Sequence, residues 1–128
     1  MDIEGLIYKI SSKDQNIQEI YYGSTQNLIR RTAEHKNNCC NVSSKEHNSR
    51  VYRFIRENGL WNSWKITIVA HVFCTNVNQL KKVERYYIEE GIRLKYKLLN
   101  KCIPLRTSKE YYTDNKARIL QGKKENYE

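Results

Sequence analysis

Short runs of apolar and β-branched residues open the chain. Gly5 to Ser11 reads Gly-Leu-Ile-Tyr-Lys-Ile-Ser, and after the polar stretch Ser12 to Gln18 comes Glu19-Ile20-Tyr21-Tyr22-Gly23. Two β-prone runs with a polar connector predict an antiparallel hairpin with a long loop. Ser24 or Thr25 can cap the segment that follows. From Asn27 to Lys36 the spacing predicts a short helix, with Leu28, Arg31, Thr32 and His35 on one side. Asn37 to Asn48 carries small polar residues and reads as a loop. Ser49 to Asn58 returns to helical spacing. Val51, Phe54 and Ile55 form its apolar stripe, Arg50, Arg53 and Arg56 a basic one, and Gly59 a stop. Trp64 to Phe73, with β-branched Ile66, Ile68 and Val72, is the best strand in the chain. Asn76 or Asn78 can cap a last long helix that runs to about Glu90, with Gly91 after it. Pro104 then interrupts, and Lys109 to Leu120 predicts a final basic helix. The order is β-β-α-α-β-α with a basic tail, which predicts a small α/β sandwich.

At 128 residues the chain fits one domain. Its formal net charge of +9 points to an anionic partner, of which nucleic acid is the commonest. No stretch approaches the ~20 apolar residues of a membrane span. A membrane surface is less expected as a partner than nucleic acid. Met1-Asp2-Ile3-Glu4-Gly5 carries no apolar signal core, and an intracellular setting (cytoplasm, nucleoid or nucleus) is the expectation. Adjacent Cys39 and Cys40 lack the spacing of a zinc pair, so no structural zinc is expected. Cys39 and Cys40 read as loop residues, and Cys74 and Cys102 as small buried ones.

The chemistry-bearing candidates each have a plain alternative. Glu84 shares the edge of the apolar stripe Leu80, Val83, Tyr87 and Ile88, where a carboxylate is expensive to desolvate unless it has a cation or donors. Taken alone, a boundary Glu that reaches solvent or pairs with a Lys is the plain reading. Arg31 and His35 lie one turn apart and can grip a phosphate and exchange a proton, or can form an ordinary solvated face. Tyr8 and Tyr21 sit on adjacent strands and can be core aromatics.

Taken in order, the residues say more. Leu6-Ile7-Tyr8, then Tyr21-Tyr22-Gly23, Arg31, Glu84 within Glu84-Arg85-Tyr86-Tyr87-Ile88, and Leu99-Asn100 together resemble the GIY-YIG nuclease family. The resemblance implies an α+β fold, a small three-stranded antiparallel sheet flanked by helices. It implies a catalytic domain over residues 1–103, leaving 104–128 as a basic, partly helical tail. By resemblance Tyr8 and Tyr21 match the two motif tyrosines, Arg31 the catalytic arginine and Glu84 the metal-binding carboxylate. Asn100 matches a structural asparagine near the site, and His35 a histidine one turn after the arginine. Two departures stand out: Leu6 replaces the first motif's glycine, with Gly5 one place earlier, and the hairpin connector is long.

The function implied is a metal-dependent DNA endonuclease of the compact kind found in phages, large DNA viruses and bacteria. A single Mg²⁺ (or Mn²⁺) would be held by Glu84, and Arg31 would stabilise the charge on phosphorus. Tyr8 would accept the proton of the attacking water, with His35 as a relay, while Tyr21 positions water or phosphate. An unperturbed phenol titrates near ~10, so Tyr8 needs cationic neighbours for that task. Arg30, Arg50, Arg53, Arg56, Lys109, Lys116 and Arg118 are the candidate phosphate contacts. The alternative is a nucleic-acid-binding module that keeps the fold without cutting, or a nuclease subunit targeted by a partner.

Overall fold

The computed structural model describes residues 2–110 and 113. Among these residues, three strands and three helices of at least two turns follow one another as β1 (Ile3–Ser12), β2 (Ile20–Thr25), α1 (Leu28–Cys40), α2 (Arg50–Glu57), β3 (Trp64–Cys74) and α3 (Val77–Arg93). A single 3₁₀ turn, Trp61–Ser63, leads into β3. The strands form one antiparallel sheet in the order β2-β1-β3, with helices against it, as the resemblance implied.

Register places the two motif tyrosines on one face. Tyr8 pairs with Gly23 and Ile10 with Tyr21 across β1 and β2. That face carries the larger core, in which Tyr8, Ile10 and Trp64 pack with Cys39 of α1 and with Val51, Tyr52 and Ile55 of α2. The opposite face buries Ile7 and Cys74 against Leu80, Val83 and Tyr87 of α3. Gly5 permits this approach, since a Cβ there would stand 2.6 Å from Leu80 Cδ1. A glycine one place before the motif thus seats α3, and Leu6 points to the other side of the pleat.

A bulge in β3 serves both cores. Ile7 pairs with Ala70 but Tyr8 with Ile68, so Val69 is the extra residue. Trp64 and Ile66 therefore join the core under α1 and α2, while Ala70, Val72 and Cys74 join the one under α3. A regular strand would have sent all five to one face.

Several local expectations are corrected. Asn27, not Ser24 or Thr25, caps α1, its side chain accepting from the Arg30 N–H. The helix continues to Cys40 rather than ending at Lys36, because Cys39 extends the inward stripe of Leu28, Thr32 and His35 by one turn and is fully buried. Cys39 and Cys40 are thus helical, and Cys102 is exposed rather than buried. Helix α3 runs through Gly91 to Arg93, after an N-cap at Asn76. Here glycine provides room rather than a stop, since a Cβ would lie 3.1 Å from Leu98 Cδ1. Tyr52, absent from the predicted stripe of α2, is buried. The predicted helix at Lys109 to Leu120 begins as a turn at 108–110, and most of it lies outside the described residues.

Candidate active site

Tyr8 crosses the sheet rather than filling it. Its ring lies over Gly23, where a Cβ would come within 2.3 Å of the hydroxyl. The hydroxyl meets His35 Nε2 at 2.6 Å and accepts from Arg31 Nε at 3.2 Å. Both partners come from α1, four residues apart on the face turned to the sheet. Arg31 Nη1 also donates to Glu34 Oε2 at 2.9 Å, so the guanidinium is held at two points. The Tyr21 ring stands edge-on to His35, with centroids 5.7 Å apart. His35 Nδ1 faces the Tyr52 hydroxyl at 2.8 Å, and that hydroxyl also receives Asn38 Nδ2 at 3.4 Å.

Burial governs the protonation states. Burial first, then the nearby Tyr21 phenol, raises the Tyr8 hydroxyl well above the usual phenol range, and the Arg31 charge does not reverse this. The sequence-based requirement for cationic neighbours is met by Arg31 alone, and desolvation outweighs it. Tyr21 is raised too, again chiefly by burial. Burial and then the Arg31 charge push His35 down to about 3, so its ring is neutral at ordinary pH. Arg31 itself is disfavoured by burial, yet Tyr8 and Glu34 more than restore its charge.

Glu84 arrives from the other side of the sheet. It sits on α3 and is 7% exposed. Its Oε1 accepts from the Ser24 hydroxyl of β2 and lies 3.4 Å from Lys81 Nζ. The register explains the first contact, because Ser24 pairs with Ile7 and so shares the face that α3 covers. A buried carboxylate with one neutral donor and one half-exposed ammonium is an oxygen ligand suited to a hard cation that keeps most of its water shell. The residues present therefore fit a hard divalent cation. Among the described residues, no group of three or more His, Cys, Asp and Glu side chains gathers to hold a metal ion.

Asn100 is a clamp. Its Oδ1 accepts from the Tyr22 N–H at 3.0 Å and its Nδ2 donates to the Tyr22 carbonyl at 2.7 Å. With Leu99 N donating to the Ile20 carbonyl at 2.7 Å, this segment closes the outer edge of β2. Both ends of the Asn100 amide are used on backbone, so its place in the site is structural.

A cleft of about 710 Å³ joins these parts. Tyr21, Arg31, Tyr52, Glu84 and Asn100 line it, with Lys81, Arg50 and Lys101 adding positive charge. Tyr8 and His35 are fully buried one layer behind. Of the other basic candidates, Arg30 is exposed and pairs with Glu34, and Arg53 and Lys109 are exposed. Arg56 is turned inward, donating to the Cys39 carbonyl at 2.9 Å, so it ties α2 to α1 instead of presenting its charge. Lys116 and Arg118 lie outside the described residues.

Sequence reasoning missed Ser24, Lys81 and Tyr52 around the site. Ser24 follows the second motif directly, and Lys81 lies one turn before Glu84, so both had a positional signal. Tyr52 had none beyond being an aromatic on a helix.

The sequence model of the GIY-YIG catalytic domain matches residues 4–100. No curated protein and no solved structure matches the chain.

Proposed function

The chain belongs to the GIY-YIG family of nuclease domains, and from that premise we propose that it is a metal-dependent endonuclease acting on DNA. The observation that supports this reading is the cleft itself: Arg31, Tyr21 and Glu84, drawn from three elements, line one open groove backed by the Tyr8–His35 pair. The net charge of +9 and the cleft-lining Arg50, Lys81 and Lys101 favour a polyanion there.

Glu84 would hold a single Mg²⁺ or Mn²⁺, which when bound supplies positive charge to the phosphate and to the leaving oxygen. Arg31 stabilises the equatorial oxygens as charge builds. Tyr21, on the cleft wall, positions the phosphate or the water. Tyr8 takes the water's proton, because of the two tyrosines it is the one with a ring nitrogen, His35 Nε2, against its hydroxyl. As the phosphate draws the Arg31 guanidinium towards itself, one lone pair of the Tyr8 oxygen is freed for the attacking water. Arg30, Arg50, Arg53, Lys109 and the tail residues Lys116 and Arg118 add affinity for the phosphate backbone.

Incubation with supercoiled plasmid, linear duplex and branched DNA, with Mg²⁺ and with chelator, tests the proposal. Metal-dependent nicking of at least one substrate is the expected result. A protein that binds all three and cuts none is a binding module instead.

A further inference from the structure

Helix α2 contributes a buried hydroxyl that the mechanism above leaves unused. Tyr52 is 5% exposed, its oxygen lies 2.8 Å from His35 Nδ1, and it borders the cleft. The directions of the hydrogen bonds around it follow from what each group can do. Arginine only donates, so Arg31 Nε gives its proton to the Tyr8 oxygen. The fully buried Tyr8 hydroxyl then needs an acceptor for its own proton, and His35 Nε2 at 2.6 Å is placed to take it. A neutral ring that accepts at Nε2 carries its proton on Nδ1, and that proton points at the Tyr52 oxygen. Asn38 Nδ2 also donates to this oxygen. With both lone pairs engaged, the Tyr52 proton is directed away from the histidine.

We infer that Tyr52 is a positioning residue that fixes His35 in its Nδ1–H form and completes a one-way donor chain, Arg31 to Tyr8 to His35 to Tyr52, through which the proton taken up at Tyr8 leaves for solvent. The inference rests on the reading of Tyr8 as proton acceptor. The transfer balances. The water's O–H bond breaks and an O–H forms on Tyr8, while the Tyr8 proton passes to Nε2. The Nδ1 proton passes to Tyr52, and the Tyr52 proton passes to solvent in the cleft. The electron pair left on the attacking oxygen forms the bond to phosphorus. The ester bond breaks, and the leaving oxygen takes its proton from solvent.

His35 changes tautomer and never carries a charge, which matters because burial beside Arg31 makes its charged form costly. Between turnovers Tyr52 takes a proton from solvent and gives its own to Nδ1, Nε2 returns its proton to Tyr8, and Tyr8 releases one to solvent, which resets the chain. The groups facing His35 are Tyr8 of β1, Tyr21 of β2, Arg31 and Glu34 of its own helix and Tyr52 of α2, with Glu46 acting in turn on Tyr52.

Nitrogen-15 NMR of the three histidine rings reads the tautomer in the full chain without any nuclease assay. The expected result is a protonated Nδ1 and a bare Nε2 on His35, with the Nε2–H form appearing in Tyr52→Phe. Single-turnover nicking is the second readout. Tyr52→Phe should be at least tenfold slower than the parent near pH 7. The deficit should persist near pH 10, because burial keeps the Tyr8 hydroxyl protonated there, and DNA binding in chelator should not change. A parent His35 protonated on Nε2 overturns the inference, as does a Tyr52→Phe variant that keeps the Nδ1–H form or the parent's rate. A parent that cuts no DNA defeats the proposed function, and the tautomer still decides the place of Tyr52.

Discussion

Gly23→Ala is the most demanding perturbation, because it adds one methyl group and touches no chemical group. The new Cβ would stand 2.3 Å from both Cζ and Oη of Tyr8, far inside van der Waals contact. Backbone strain is not the issue, since Gly23 is not among the glycines with positive φ. The ring is rigid, fully buried, and pinned by His35 and Arg31, so it cannot swing aside cheaply. Overpacking of this kind costs about 1–3 kcal/mol. Replacing glycine by alanine in a strand returns roughly 0.5–1 kcal/mol of backbone entropy. The net loss should be about 1–2 kcal/mol, or a fall in Tm of roughly 5–10 °C for a domain of this size.

Activity should suffer more than stability. The hydroxyl would have to leave the 2.6 Å contact with His35, and a displacement of about 1 Å at a reacting group can cost ~10²-fold in rate. The assay is a thermal melt and single-turnover nicking of Gly23→Ala, repeated in a Tyr8→Leu background. There the alanine should destabilise by less than half as much, since the clashing ring atoms are gone. An equal loss in both backgrounds, or a parent-like Gly23→Ala, would show that Gly23 does not exist to seat Tyr8.

Three further outcomes follow from the site. Glu84→Gln should abolish nicking in Mg²⁺, bind DNA at least as tightly as the parent in chelator, and shift stability by under about 1 kcal/mol, because the half-exposed Lys81 pair contributes little and the amide oxygen still accepts from Ser24; full nicking by this variant refutes the metal-ligand role. Arg31→Ala should slow single-turnover cleavage by about 10²–10³, the loss of one charge-stabilising donor, whereas exposed Arg30→Ala should change it little; the opposite order would move the catalytic arginine by one residue. His35 has a folded-state pKa near 3 against 6.5 unfolded, so the unfolded chain binds the extra proton; its stabilising effect is complete above pH 6.5 and is lost as pH falls towards 3, at up to about 1.4 kcal/mol per pH unit. Denaturant midpoints between pH 6.5 and 5, where the arginine-paired Glu34, Glu90 and Glu110 stay charged, should show that slope in the parent and a flatter one in His35→Gln; parallel slopes would mean that His35 is not buried as a neutral ring.

Local pattern was enough for the element order, the hairpin and the inward face of α1, because strand alternation and helical spacing are properties of neighbours in the chain. It also placed Tyr8 opposite the second motif and Arg31 one turn before His35. Helix ends were misjudged at Lys36 and Glu90, where a buried Cys39 and the close approach of Leu98 to Gly91 prolong what polar residues and a glycine locally disfavour. The bulge at Val69 was invisible, because it is a relation between two strands and not a feature of either. The same holds for the site. Residue types at Tyr8, Tyr21, Arg31 and Glu84 declared a chemistry through their order, but their electrostatics came from burial, which raised Tyr8 where a nearby cation had promised to lower it. Asn100 was legible as structural, yet only the fold shows that it holds the backbone of Tyr22. Arg56 looked like a free cation on a basic stripe until the α1 carbonyl of Cys39 claimed it. Tyr52 had no signal at all, since its partner lies seventeen residues away on another helix. Sequence determines which groups can donate, accept or carry charge; which of them are desolvated together is decided by packing, and desolvation is what sets their energies.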